Sequence, residues 1–308
     1  MSSARPESIA GGRRDTLRIV ESYLPLVGLS VVWGLAFDAI SLADELLSPV
    51  NLTLLRWFIA GVGYFAILPI FGKTKTKFER GDLPRLAVVA FANVPMYHLS
   101  LNFGETTVSA GVAGLLVALG PVFIVLLSRI SLKEHVGRRL TQALVIATAG
   151  AVLISIPNLG GPAGSVVGIF EVVTTALAYA IFAVLSKPLV SKYGALPIAI
   201  RAGIIGTIML VPLVSPSFVT QVSALPADGW LAVLYLSILS TVLGYSVFYV
   251  LVSRANVSRL SVQLYLIPIV SVVGGILLLG QGVTVFTLAG GAGLLFAVGL
   301  ATQSKPER

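Results

Sequence analysis

Apolar residues gather along this chain in ten blocks of roughly 20, separated by short polar linkers, and a bilayer core needs ~20 mostly apolar residues per helix. The blocks run approximately over 23–43, 51–71, 84–103, 107–128, 139–156, 165–186, 195–214, 229–250, 259–280 and 284–301. A spanning segment must satisfy its own backbone hydrogen bonds, so each block predicts an α-helix and the chain an all-α integral membrane protein. Residues 1–22 and 302–308 are left as tails, and no room remains for a soluble catalytic domain.

Composition agrees. Of 308 residues, 11% are charged and 56% apolar, against ~25% charged in ordinary soluble domains. So few charges cannot cover a water-soluble enzyme of this length, and so much apolar surface excludes disorder. The net charge of +8 raises nucleic acid as a partner until the basic residues are located. With Arg5 to Arg18 placed in the cytoplasm, nineteen of the 21 Lys and Arg fall on that side, including Lys73–Arg85 and Arg129–Arg139. Asp44, Glu45, Glu105 and Asp228 fall in linkers on the other side. The positive-inside rule then puts both termini in the cytoplasm of a multi-pass inner (plasma) membrane protein. The charge excess records orientation in a lipid bilayer, so no nucleic-acid partner is expected.

The chain also repeats itself at an offset of 147. Pro121 falls on Pro268, Glu134 on Gln281, His98 on Tyr245 and Asn102 on Tyr249. With small shifts, Arg56 falls on Arg201 and Trp33 on Tyr179. The two halves, 23–156 and 165–301, hold five helices each. An odd number inverts the second half, giving two inverted-topology five-helix repeats around a central cavity, a recurring transporter architecture.

The motifs that carry this repeat resemble the drug/metabolite transporter superfamily, in its EamA branch of ten-helix carriers. They are Val32-Trp33-Gly34, Leu55-Arg56-Trp57 with Ala60, the small-residue run from Ser109 to Gly114, Pro121 and Leu132-Lys133-Glu134. The second half matches with the stretch from Ala255 to Leu260, Pro268 and Leu279-Gly280-Gln281, where Gln281 departs from the usual Glu. The resemblance implies export of small metabolites such as amino acids.

Ionisable groups inside spans are expensive and mark functional sites or pairs. Asp38 and Glu171 are such groups, and a carboxylate–guanidinium set with Arg56 would suit a zwitterionic solute. Arg56 has a plainer reading, in which it reaches the interface or pairs with Asp44 or Glu45; Arg201 reads as an anchor. Trp33, Tyr97, His98, Asn102, Tyr179, Tyr245 and Tyr265 are candidates to line the cavity, with rings for an apolar solute and polar tips to orient it. Each has the alternative of packing between helices. Pro95, Pro121 and Pro268 remove an N–H within a span and are hinge candidates, or static kinks. Small residues at Ala147, Ala151, Ala289 and Gly293 make helices five and ten scaffold or a homodimer contact. Ser131 to Glu134 reads as a capping box.

Enzyme chemistry finds no support. An intramembrane aspartyl hydrolase needs two aspartates in spans, and Asp38 is alone; Ser100 lies two residues from His98 and faces another side. There is no cysteine, no metal-ligand cluster and no phosphate-binding Gly-Lys-Ser/Thr loop, so no cofactor is expected. A channel-like facilitator or a drug efflux carrier is the alternative; a channel lacks its filter loop or charged ring here. The expectation is a secondary carrier for amino acids or similar metabolites, working by alternating access.

Overall fold

The computed structural model describes residues 7–133, 137–159, 163–254, 257–260, 266–280 and 282–302. Among them the regular elements are all helical. The first half comprises α1 (Glu7–Asp44), α2 (Pro49–Phe71), α3 (Leu83–Phe91), α4 (Tyr97–Glu105), α5 (Ala110–Val117), α6 (Gly120–Ser131) and α7 (Arg138–Leu159). The second comprises α8 (Ala163–Tyr193), α9 (Ala195–Leu210), the short α10 (Pro216–Ser223), α11 (Ala227–Leu234), α12 (Gly244–Arg254), α13 (Val257–Leu260), α14 (Ile267–Leu279) and α15 (Val285–Thr302). Among the described residues seven helical stretches are long and apolar enough to cross a membrane, and three shorter apolar helices lie at Thr141–Gly150, Ile267–Leu279 and Val285–Ala297. These fall on the ten predicted blocks. Helix α1 starts at Glu7, so the first span's helix continues back through most of the residues read as a tail.

Local sequence explains the breaks. Ser48 accepts from the backbone N–H of Asn51 and Pro49 occupies the first turn of α2, where a missing N–H costs nothing. The third span changes winding at Ala92–Met96, a π-helical segment containing Pro95, whose ring cannot fit the α-helical ladder. The eighth span has its own π segment at Tyr235–Leu243, without a proline. There Thr241 Oγ1 donates 2.8 Å to the carbonyl of Leu236, five residues back. The first π segment shifted by 147 falls within the second, so both repeats carry the same irregularity at the same place.

The prolines of spans four and nine need a correction. Pro121 and Pro268 do not sit mid-helix. Each lies in the first turn of a helical segment, α6 and α14. Before α6 the chain is wound tightly, with Ala118 N–H donating to Leu115 and Leu119 N–H to Leu116. Span four is therefore interrupted ahead of Pro121 rather than bent by it.

The same offset relates the ends of these segments, where Lys133 has φ 54° and Gly280 φ 63°. Left-handed backbone costs a side-chain-bearing residue ~1–2 kcal/mol, partly offset in a glycine variant by its looser unfolded chain. Lys133→Gly is expected to stabilise the protein by about 0.5–1 kcal/mol, and Gly280→Lys to destabilise it, both read from thermal unfolding in detergent.

Packing follows the pseudo-symmetry. Helix α2 packs on α9, and α7 on α15. Helix α1 packs on α14 as α8 packs on α6. Glycines set the close approaches between α2, α9 and the π segments. A Cβ on Gly206 of α9 would fall 2.2 Å from Val94 in the first π segment, and one on Gly63 of α2 would fall 3.2 Å from Val242 in the second. Gly150 of α7 lies against the backbone of Gly290 on α15, and Ala147 is buried in the same contact layer. The small-residue faces of helices five and ten thus meet within one chain, so a second copy would meet their outer faces, where Val145 and Leu288 are exposed.

The two ends of the bundle are tied differently. At the basic end, Lys192 Nζ lies 2.7 Å from Glu79 and 2.8 Å from Asp82. Tyr193 donates to Asp82 and stacks on Phe78, and Arg201 donates to the carbonyl of Gly72 at 2.8 Å. These contacts dock the linker after α2 onto α8 and α9. At the opposite end the linker after α9 docks on the start of α2 without charge. Gln221 Oε1 accepts from Asn51 Nδ2 (2.7 Å) and from the Ser48 N–H (3.0 Å), and Asn51 also reaches Ser217.

Candidate functional site

Between the repeats lies a cavity of about 20 Å³, lined by Trp33, Ala36, Phe37 and Ile40 of α1, Arg56 of α2, Tyr97 and Leu101 of α4, Tyr179 of α8, Ser240 of the second π segment and Tyr245 of α12. That volume holds about one water molecule. The cavity is therefore too small for a solute such as an amino acid. The α1 residues recur at helical spacing, so one face of α1 forms a wall.

Arg56 is buried and fixed by the irregular backbone of span eight. Its Nε donates to Thr241 Oγ1 at 2.8 Å and its Nη2 to Ser240 Oγ at 3.1 Å. Among the described residues no carboxylate lies within 4 Å of it, and Nη1 has no protein acceptor. Neither alternative read from the sequence holds: Arg56 does not reach the interface and does not pair with Asp44 or Glu45. Carbonyls in the same π turn accept from Trp33 Nε1 (Ser240, 3.0 Å) and Tyr64 Oη (Thr241, 3.2 Å). The π segment thereby presents two hydroxyls to a cation and two carbonyls to aromatic donors. Gly244 permits this, since a Cβ there would fall 2.7 Å from the Trp33 indole nitrogen.

Aromatic rings enclose the rest. Trp33 meets Tyr179 edge-on at 6.0 Å and Tyr245 at 5.4 Å between centroids. His98 stands edge-on to Trp57 at 5.1 Å, and its Nε2 lies 3.2 Å from Tyr245 Oη. His98 and Tyr245 are 147 residues apart, so equivalent positions of the two repeats touch, which puts them on the pseudo-two-fold axis. Trp33 and Tyr179 meet in nearly the same way.

The predicted residues therefore divide. Trp33, Tyr97, Tyr179 and Tyr245 line the cavity, and His98 braces Tyr245 behind it. Asn102 does not: its Nδ2 donates to Thr53 Oγ1 at 2.9 Å, holding α4 to α2. Glu171 is half-buried away from the cavity lining. Asp38 is buried, but one helical step past Phe37 rotates it ~100° from the wall, against Gly274 of α14. Among the described residues neither of its oxygens has a hydrogen-bond partner. The expected set of Asp38, Glu171 and Arg56 is not assembled. Pro95 sits in the first π segment; Tyr265, Glu134 and Gln281 lie outside the described residues. Glu105, placed in an outer linker by the sequence, is buried because α4 runs on to include it, and it accepts from Ser41 of α1. Ser240 is a lining residue that the sequence did not single out; the adjacent hydroxyls of Ser240 and Thr241 within a span were the available signal.

Comparison with known proteins decides the family. The model of the EamA-like transporter family matches the chain twice, over residues 22–156 and 166–303. This chain belongs to the EamA-like transporter family. An uncharacterized transporter of Archaeoglobus fulgidus is 33% identical over 89% of this chain and 95% of its own length. A probable terminal-alkyne amino-acid exporter of Streptantibioticus cattleyicolor is 29% identical over 90% of this chain and 91% of its own. A solved crystal structure shares the fold, with TM-score 0.68 at 18% identity, covering 91% of this chain and 96% of the other. The family is one of membrane transporters and not of enzymes, and its two matched segments are the two repeats whose contact forms the cavity.

Proposed function

We propose that this chain is a secondary transporter that exports amino acids or closely related amphipathic carboxylates by alternating access between its repeats, from a cell (inner) membrane with both termini cytoplasmic. The observation that carries the proposal is Arg56, a buried guanidinium with no carboxylate within 4 Å among the described residues, in a cavity walled largely by aromatic rings. A buried cation is stabilised by a charged partner, and a solute carboxylate supplies one by a charge-assisted hydrogen bond. Trp33, Tyr97, Tyr179 and Tyr245 then offer faces and edges to an apolar side chain. The cavity of about 20 Å³ must widen to admit such a solute. The segments beginning at Pro121 and Pro268, and the π segment at Pro95, are the proposed points of movement. The name of the Streptantibioticus cattleyicolor relative supports the amino-acid reading.

The test is counterflow in proteoliposomes with a panel of labelled aromatic and aliphatic amino acids. Saturable uptake stimulated by the same solute on the trans side is expected, strongest for solutes with a carboxylate and an apolar side chain. Saturable uptake of none of them would sink the amino-acid reading, and linear flux without trans-stimulation would favour a channel-like facilitator.

A further inference from the structure

A second concavity lies outside the bundle axis, between α6 and α7, and measures about 820 Å³. Its walls are side chains such as Val125, Leu126, Val145 and Val152, with Arg129 the one charged residue among the described lining. Two threonines on the wall are spoken for: Thr141 and Thr148 each bond the carbonyl four residues back. Apart from Arg129 the surface is therefore apolar in its chemistry. The α7 wall runs from Thr141 to Leu153, which at ~1.5 Å per residue is about 18 Å. One leaflet of a ~30 Å hydrocarbon core is about 15 Å deep, so the wall covers one leaflet and about 3 Å more. Arg129 stands at the basic end, beside a linker that carries Lys133, Arg138 and Arg139 against the single acid Glu134.

An apolar cleft one leaflet deep, topped by a guanidinium, has the shape and charge of a diacyl lipid with an anionic headgroup. We infer that the α6–α7 groove is a binding site for an anionic phospholipid of the leaflet at the basic end, with acyl chains along Val125, Val145 and Val152 and the phosphate on Arg129. A second copy is the poorer fit. A two-fold dimer with its axis along the membrane normal brings two basic linkers to the same end. A lipid phosphate instead neutralises them, and basic pockets between helices at this level suit such headgroups. The inference does not depend on what the central cavity transports.

The test is native mass spectrometry of the full chain released from detergent, titrated with phosphatidylglycerol or with phosphatidylcholine of the same acyl chains. Phosphatidylglycerol is expected to bind several-fold more tightly. Arg129→Gln should weaken phosphatidylglycerol about fivefold, the value of one basic contact near the surface, and leave phosphatidylcholine unchanged. Ala149→Trp, which fills the groove, should weaken both. Equal binding of the two lipids by the unmodified chain overturns the inference. So does a phosphatidylglycerol preference undiminished in Arg129→Gln. A two-copy mass that becomes one copy in Ala149→Trp also overturns it, by assigning the groove to a dimer. Bound lipid is counted directly, so a failure here is distinct from a failure of the transport proposal.

Discussion

Arg56→Gln is expected to reduce counterflow of the transported solute about 100-fold while leaving the yield of folded protein intact. Glutamine keeps hydrogen-bonding reach toward Thr241, the partner of Arg56 Nε, but it falls short of Ser240, the partner of Nη2, and cannot offer charge to a carboxylate. Truncating one partner of a buried, hydrogen-bonded charge pair costs ~2–5 kcal/mol, which spans a 100-fold effect. Stability should move the other way. Among the described residues the unliganded protein buries this cation with no carboxylate within 4 Å, so removing the charge should hold or raise the unfolding temperature. Arg56→Lys should fall between, because a lysine keeps the charge but not the planar fork that engages two hydroxyls and leaves Nη1 for the solute. A variant that transports normally without charge at this position would refute the role given to Arg56. One that loses transport only because it loses folded protein would return Arg56 to a structural part.

Gly206→Leu should do the opposite, destabilising by ~3 kcal/mol or more, seen as lost monodisperse protein on size exclusion and a lowered thermal midpoint. Overpacking a tight contact costs ~1–3 kcal/mol where neighbours can adjust. Here even a Cβ falls 2.2 Å from Val94 Cγ2 and 3.0 Å from the carbonyl of Ala90, so α9 and the third span must separate. Gly291→Leu is the control, since nothing lies within 4 Å of a Cβ there. Equal behaviour of the two variants would show that α9 does not seat the π segment of span three.

What could be read from the sequence, and what could not, follows from which forces act locally. Lipid as solvent imposes length and apolarity on each span separately, so the ten blocks and the inverted repeat were legible. Side-chain destinations were not. Arg56 can extend toward several neighbours, and its partners lie 184 and 185 residues away. Asp38 is one residue from a cavity-lining position, and a helix turns that into a different face. Pro95 hinted at the irregularity of span three. The matching π segment of span eight has no proline; its hydroxyl bonds to freed carbonyls appear only once the chain is folded. Glu105 looked like a linker residue because two extra residues of helix cannot be read from hydropathy.

The contact between His98 and Tyr245 bears on how such a molecule arises. A duplicated segment that touches its own copy across a two-fold axis confronts each axial residue with its twin, and twins offer the same group twice. Histidine facing histidine, or tyrosine facing tyrosine, leaves protons to be sorted between equal claimants. Divergence of the halves at this one place supplies a phenol to an imidazole instead. Fusion of the copies into a single chain is what makes that inequality heritable, because two identical subunits could never hold different residues on their shared axis.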